Sequence, residues 1–242
     1  YWLGRELFSE QVGRWSSLWW ALVPSFLMFT PNPTPIYAFI GLTVIALSYK
    51  GMHNQQSKWV LLAGIVMSVG TFLHFTTLPI IFLTGLFVLG YQTVKSNDKT
   101  NILKQSIQTG LWFSLGLVSV WSVFYIISGV TVWDVFDQSL SEHLSLDRPY
   151  VPWLFLHLND FFMFTGWTFS ILAGLGLWNS VRCYQLNKTL TSSTILSFSV
   201  AITLVVMDIS GTTQGESGRI WLFLSPFLLL MASEYMVRAN DK

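Results

Sequence analysis

The chain has 242 residues, of which 52% are hydrophobic and only 10% are charged. Soluble globular domains carry about 25% charged residues, so this chain is too apolar to cover a water-exposed surface, and we expect the lipid bilayer to be its solvent. The formal net charge is +1 and the sequence has no basic tract, so nothing in it indicates nucleic-acid binding. The single Cys183 excludes a disulfide framework within the chain.

The first segment, YWLGRELFSEQVGRW, mixes charged and apolar residues and does not have the pattern of a secretory signal peptide. The first residue is Tyr1 rather than Met. We therefore expect the sequence to be the C-terminal part of a longer chain.

Eight apolar stretches approach the length of about 20 residues that a transmembrane helix needs. They are 16–30, 36–49, 59–74, 77–91, 108–128, 153–178, 192–209 and 219–236. The prolines of PNPTP at 31–35 separate the first two, because proline cannot continue a helix. HFTTLP at 74–79 divides the long run 59–91 into two short helices or a re-entrant pair. The sequence thus predicts an all-α, polytopic membrane protein, with about eight transmembrane helices in one domain over 1–242.

The distribution of basic residues predicts the orientation of these helices. If the N-terminus is cytoplasmic and every stretch crosses, all but two of the 13 Lys and Arg residues lie in cytoplasmic segments, and the exceptions are Arg148 and Arg219. Cytoplasmic loops of membrane proteins carry such an excess of Lys and Arg. We therefore predict a multi-pass protein of the plasma membrane, with both termini of the sequence on the cytoplasmic side.

The longest predicted external segment covers residues 129–152 and carries more acidic than basic residues. In its first half, apolar residues recur at the spacing of one helix face, at Val132, Val135, Phe136 and Leu140. This pattern predicts an amphipathic helix that lies on the membrane surface. The alternative is a solvated helix within an ordinary loop.

The predicted external face also collects the ionisable residues that lie in or near the membrane. Asp160 lies within the 153–178 stretch, and His157 is three residues before it, so both can share a helix face. Asp208 ends the 192–209 stretch on the same side. Ionisable groups within membrane spans are costly and are usually functional, which favours a site, although Asp160 alone can also serve only to bond a neighbouring helix.

Two further pairs stand at the external ends of predicted helices. Glu216 and Arg219 open the last stretch, and Arg148 and Tyr150 precede the 153–178 stretch. The Arg219 guanidinium can bind phosphate or carboxylate as a rigid fork. The structural alternatives are a helix-capping ion pair between Glu216 and Arg219 and an interfacial anchor at Tyr150.

Three segments resemble a known family. They are ALVPSFLMFTPNPTPIYAFIGLTVIAL (21–47), RPYVPWLFLHLNDFFMFTGW (148–167) and GESGRIWLFLSPFLLL (215–230). They resemble bacterial multi-spanning glycosyltransferases of the GT-C fold, which are relatives of the protein O-mannosyltransferases. In that family a P-S-x-L-x-F-T/S-P helix end and an acid-x-x-Arg-Ile-Trp-Leu-Phe-x-x-Pro segment recur.

The resemblance implies transfer of a sugar from a polyprenyl-phosphate donor to an acceptor on the outer face of the membrane. Membrane lipid and the lipid-linked donor would be the partners, and a divalent metal sometimes assists. The family's catalytic carboxylate lies in the first external loop, which no stretch of this sequence matches, and we expect it to precede Tyr1. Glu216 and Arg219 would lie at the donor phosphate. The cavity near it would be lined by Arg148, Tyr150, His157 and Asp160.

Two other classes of function remain open. A transporter or lipid flippase would have charged groups near the middle of the membrane, broken helices and internal repeats. Here the charges are expected at one face and the sequence shows no repeat. A non-catalytic membrane scaffold is the third hypothesis, and it would need Glu216 and Arg219 only for stability.

Overall fold

A computed structural model describes residues 1–30, 32–96, 98–144, 150–211, 215 and 217–240, without the side chains of 142–144. Regular structure in these ranges is helical, with no strand, which confirms the all-α prediction. The α-helices are α1 (Trp2–Leu7), α2 (Glu10–Trp20), α3 (Pro24–Met28), α4 (Thr34–His53), α5 (Ser57–Leu73), α6 (Leu78–Lys95), α7 (Lys99–Leu117), α8 (Ser119–Ser128), α9 (Val132–Leu144), α10 (Tyr150–Thr165), α11 (Trp167–Asn187), α12 (Ser192–Ser210), α13 (Ser217–Ile220) and α14 (Ser225–Asn240). Short 3₁₀ turns at Phe75–Thr77 and Trp221–Leu224 precede α6 and α14.

Within the described part of the chain, five helical segments are long and apolar enough to cross a membrane. They are Thr34–His53, Phe75–Lys95, Lys99–Ser128, Ser192–Ser210 and Ser217–Asn240. Helices α10 and α11, taken together as one bent pair, are also long and apolar enough to cross a membrane. Helix α5 is apolar but shorter. This architecture is consistent with a multi-pass membrane protein.

Two predicted stretches are not continuous helices. The stretch 16–30 is divided between α2 and α3, because Pro24 holds the preceding Val23 in an extended conformation (ψ 117°). The stretch 153–178 is divided at Gly166, where α10 and α11 meet at an angle of 107°. Gly166 has a φ of +102°, in a region that residues with a Cβ rarely adopt.

The two breaks that the prolines predicted are present. Helix α3 ends at Met28 and α4 begins at Thr34, with Pro35 in its first turn. Helices α5 and α6 are separate, and the His74 side chain between them accepts a hydrogen bond from the backbone N–H of Thr76. The long run 59–91 is therefore two helices.

The chain folds around its last long helix. In the Ser217–Asn240 segment, 83% of the 18-residue apolar stretch that could cross a membrane is buried inside the protein. Helix α14 packs against α11 and α2. In Lys99–Ser128 only 11% of the equivalent 18-residue stretch is buried, although α7 packs on α5. The outer surface of α7 and α8 is consequently apolar, as expected of a surface that faces lipid, with Ile126 and Ile127 each 80% exposed.

The segment after α8 forms the helix α9, where the sequence predicted a helix. Thr131 directly precedes it and donates backbone and side-chain hydrogen bonds to the Asp134 carboxylate. These bonds, the side-chain one above all, lower the pKa of Asp134 from its ordinary value. The ring of Phe136 packs edge-on against Phe75 at 5.2 Å between centroids, which connects α9 to the turn before α6. The placement of α9 on a membrane surface stays a prediction.

Candidate functional site

Helices α10 and α12 bring together a histidine and an aspartate that are far apart in the sequence. Nδ1 of His157 lies 3.4 Å from Oδ1 of Asp208, within ion-pair distance but not aligned for a hydrogen bond. His157 is 1% exposed and Asp208 7% exposed. Burying a polar group is costly unless it is paired with another. His157 and Asp208 therefore form a pair that is closed to solvent, between α10 and α12.

Two tryptophans and a backbone amide complete the surroundings of the imidazole. Trp153 stacks on His157 at 5.4 Å between ring centroids, and Trp221 packs against it at the same distance with a tilt of 53°. The N–H of Gly215 donates to Nε2 of His157 at 3.4 Å. Since Nε2 accepts this bond, the proton of the neutral ring lies on Nδ1 and faces Asp208.

Ser217 connects the start of α13 to the same turn of α10. It is fully buried, and its hydroxyl donates to the carbonyl oxygen of His157 at 3.1 Å and lies 3.4 Å from Oδ2 of Asp160. Ser217 thus contacts the backbone of His157 and the side chain of Asp160. Asp160 is half-buried, whereas the His157–Asp208 pair is closed.

Tyr150 joins the beginning of α10 to the end of α12. Its hydroxyl donates to the carbonyl oxygen of Ile209 at 2.6 Å. Its ring covers Gly211, which ends α12 with a φ of +62°, and a Cβ at Gly211 would lie 2.6 Å from that ring. Glycine is thus required at 211 by both its conformation and the close approach of the ring. These contacts favour an anchoring role for Tyr150.

We expect Tyr150→Phe to lower the free energy of unfolding by about 1 kcal/mol, because it removes one hydrogen bond and keeps the ring on Gly211. Chemical unfolding of the purified protein in detergent measures the change. Tyr125→Phe is the control, since Tyr125 is exposed on α8 and its hydroxyl bonds none of the described residues. Equal stability of both variants and the native protein would contradict the anchoring role.

Arg219 lies in α13, two residues after Ser217, and is half-buried. Tyr37 of α4 is close enough to Arg219 for an electrostatic interaction with the guanidinium. The Tyr37 ring also contacts the ring of His74, at 5.9 Å between centroids. The beginning of α4, the end of α5 and the beginning of α13 therefore meet at one end of the helices, with a cation among them.

Of the six residues predicted from the sequence, the structure places Tyr150, His157 and Asp160 along α10, which contacts α12 and α13, and Arg219 in α13. Arg148 and Glu216 lie outside the described residues, so the predicted pairing of Glu216 with Arg219 stays a prediction. The sequence indicated Asp208 on this face but not its pairing with His157. Both are polar residues inside apolar helices, and this was the signal that could have joined them.

A second buried acid was missed at the other end of the molecule. Glu234 of α14 is 6% exposed, accepts a 2.6 Å hydrogen bond from Nη2 of Arg238 and lies 3.5 Å from the Ser193 hydroxyl. The four-residue spacing of Glu234 and Arg238 is the helical signal that could have found it. The pair connects α14 to the beginning of α12, and we assign it a structural role.

The described residues contain no group of three or more His, Cys, Asp or Glu side chains that could hold a metal ion. The divalent metal that the resemblance allows stays a prediction. The chain matches no known family model, no curated protein and no solved structure. A proposal about its function consequently depends on its own residues and on the resemblance of its segments.

Proposed function

We propose that this chain is part of an integral membrane glycosyltransferase of the GT-C type. It would have about eight transmembrane helices and cytoplasmic termini, and it would transfer a sugar from a polyprenyl-phosphate donor to an acceptor on the outer face of the plasma membrane. The observation that carries the proposal is the place of Arg219. This half-buried cation follows directly after a segment that Ser217 and Gly215 attach to the buried His157–Asp208 pair.

The closed pair acts in this proposal as a positioning element. His157 and Asp208 are too deeply buried to meet a substrate, but His157 receives the N–H of Gly215, and its own carbonyl oxygen receives the Ser217 hydroxyl. Holding these two residues holds the beginning of α13 and therefore the backbone of Arg219. A cation fixed in advance stabilises developing charge better than one that must be reoriented during the reaction.

Arg219 would bind the phosphate of the lipid-linked donor. A guanidinium forms two parallel hydrogen bonds with phosphate oxygens. During transfer the oxygen of the acceptor hydroxyl attacks the anomeric carbon, and the bond from that carbon to the phosphate oxygen breaks. The leaving polyprenyl phosphate keeps the electron pair and gains negative charge, which Arg219 stabilises. The acceptor proton goes to a carboxylate base, which the resemblance assigns to the family's first external loop and which we assign to no described residue.

A transporter or flippase for the lipid-linked sugar is the alternative. The 107° bend between α10 and α11 favours it, because discontinuous helices often form the binding sites of transporters. Such a protein would move the lipid across the bilayer without breaking the bond between sugar and phosphate. The two functions therefore differ in whether the donor is consumed.

We expect Arg219→Ala to lower the rate of sugar transfer by about 100-fold, because one preorganised contact to the developing charge is lost. Arg219→Lys should retain part of the activity, since it keeps the charge without the fork. Transfer is measured in membranes that contain the full-length protein and a radiolabelled polyprenyl-phosphate sugar. Arg14→Ala is the control, because the Arg14 side chain is 69% exposed and pairs only with Glu10 among the described residues.

Native activity in both Arg219 variants, at equal amounts of folded protein, would remove the assigned role. Proteoliposomes distinguish the alternative function. Translocation of the labelled lipid with no release of polyprenyl phosphate would replace the glycosyltransferase proposal with the flippase.

A further inference from the structure

Two cavities lie between α6 and α7, near the end of α4 that is opposite to Tyr37 and Arg219. The first has a volume of about 270 Å³ and is lined mainly by polar side chains: Gln55, Gln56, Gln92, Lys95, Gln105 and Gln108. It also touches Met52, which lies 15 residues after Tyr37 on α4, or about 22 Å along the helix axis. It is therefore separate from the site described above.

The second cavity adjoins the first. It has a volume of about 260 Å³, and Thr109 of α7 lines both cavities. Its other walls are mainly apolar and include Ile81, Val88 and Phe113. Along α6 the polar lining lies in the last turn and the apolar lining begins earlier, so the polar cavity stands at the helix end and the apolar one lies deeper between the helices.

Gln92, which lines the polar cavity, has an unused hydrogen-bond acceptor. The residue is 3% exposed, and its Oε1 has no hydrogen-bond partner among the described residues. Buried side-chain polar atoms nearly always have a partner, so this oxygen indicates a ligand that donates a hydrogen bond.

The apolar cavity is open because two glycines line it. An added Cβ at Gly85 of α6 or at Gly110 of α7 would meet no atom within 4 Å. On the other side of α7 the packing is tight, and an added Cβ at Gly116 would overlap the backbone of α5. The groove from Lys95 back to Ile81 spans 14 residues, or about 20 Å, which is somewhat more than half of a hydrocarbon core of about 30 Å.

The charge around the polar cavity is positive. Lys95 lines it and donates to the carbonyl oxygen of Met52 at 2.8 Å, which holds its ammonium group there. The neighbouring segments 50–58 and 92–104 contain one acid, Asp98. Their basic residues are Lys50, Lys58, Lys95, Lys99 and Lys104. Basic residues at the end of membrane helices attract anionic lipid headgroups.

We propose that the α6–α7 groove binds one anionic phospholipid whose headgroup carries a hydroxyl. The headgroup occupies the glutamine-lined cavity, where its hydroxyl donates to Oε1 of Gln92 and its phosphate faces Lys95. One acyl chain follows the apolar cavity past Gly85 and Gly110. The inference rests on the adjacency of a polar, positively charged cavity and an apolar one, and it is independent of the proposed transferase activity.

Titration of the delipidated protein with phosphatidylglycerol, followed by native mass spectrometry, tests this site. We expect Gly85→Leu and Gly110→Leu to weaken binding at least tenfold, because the leucine side chain would occupy the space that an added Cβ finds empty. Gly174→Leu is the matched control, since it also places a side chain where no atom lies within 4 Å, but on α11. Gln92→Met should weaken binding without loss of thermal stability, because Oε1 has no partner to lose.

If the leucine variants fail to fold, the affinity of the Gln92→Met variant for phosphatidylglycerol decides whether the groove binds this lipid. Native affinity for phosphatidylglycerol in a folded Gln92→Met variant, or in folded leucine variants, would overturn the proposal. So would equal binding of phosphatidylcholine, which lacks the net charge and the hydroxyl. Competition by glycerol phosphate as strong as that by the intact lipid would show a site for the free headgroup instead.

Discussion

His157→Phe is expected to lower the free energy of unfolding by about 3 kcal/mol, because it leaves the buried Asp208 carboxylate without its partner. The phenyl ring still fits between Trp153 and Trp221, so the packing around position 157 changes little. The loss therefore reports the unpaired carboxylate, with the lost hydrogen bond from Gly215 as a smaller part, rather than a cavity. Chemical unfolding in detergent micelles measures it.

The double variant His157→Phe/Asp208→Leu tests whether the unpaired Asp208 carboxylate causes this destabilisation, because it removes the carboxylate as well. Replacing both members of a buried pair by apolar residues is often neutral, so we expect the double variant to lose only the hydrogen bond from Gly215, about 1 kcal/mol. His53→Phe is the control, because His53 is exposed and pairs with no described carboxylate. A single variant as stable as the native protein, or a double variant less stable than the single one, would contradict the pairing.

Gly64→Ala and Gly116→Ala should each lower the free energy of unfolding by about 3 kcal/mol, at the upper end of the range for overpacking. These glycines meet where α5 crosses α7. A Cβ at Gly64 would overlap the carbonyl oxygen of Phe113, and one at Gly116 would overlap that of Leu61. Backbone atoms cannot rotate away, so the helices must move apart. Small residues commonly allow such close crossings between membrane helices.

Gly110→Ala provides the control for this prediction, because Gly110 lies on the same helix and an added Cβ there meets nothing within 4 Å. Alanine is also the better helix former, so this variant should be at least as stable as the native protein. Thermal unfolding of the three variants side by side measures the difference. Equal stability of all three would show that α5 and α7 separate without cost.

The sequence predicted those features of the fold that depend on local chemistry. The low content of charged residues indicated the membrane, and the prolines of 31–35 and 74–79 marked helix ends that the structure confirms. The apolar periodicity after residue 131 predicted the helix that α9 forms. Each of these follows from a few neighbouring residues, because a missing N–H or a repeating face acts within one or two helical turns.

The candidate site was predicted only in part. His157 and Asp160 were placed together by their spacing, but the partner of His157 comes from α12 and could not be read from α10. The bend at Gly166 was also missed, because the apolar pattern is the same on both sides of it and a single glycine is tolerated within a helix. The glutamines around Gln92 were missed because polar residues at helix ends resemble ordinary loop residues.

By itself, the sequence determined that the chain is helical, that it is suited to a bilayer, and where proline ends its helices. Only the tertiary structure decided that Asp208 faces His157, that Ser217 attaches α13 to α10, and that α6 and α7 leave a groove open. The physical reason is the distance along the chain over which each effect acts. Composition and backbone preference act along the chain, whereas buried charge pairs and cavities depend on which helices pack together, and that is settled by side-chain contacts between distant segments.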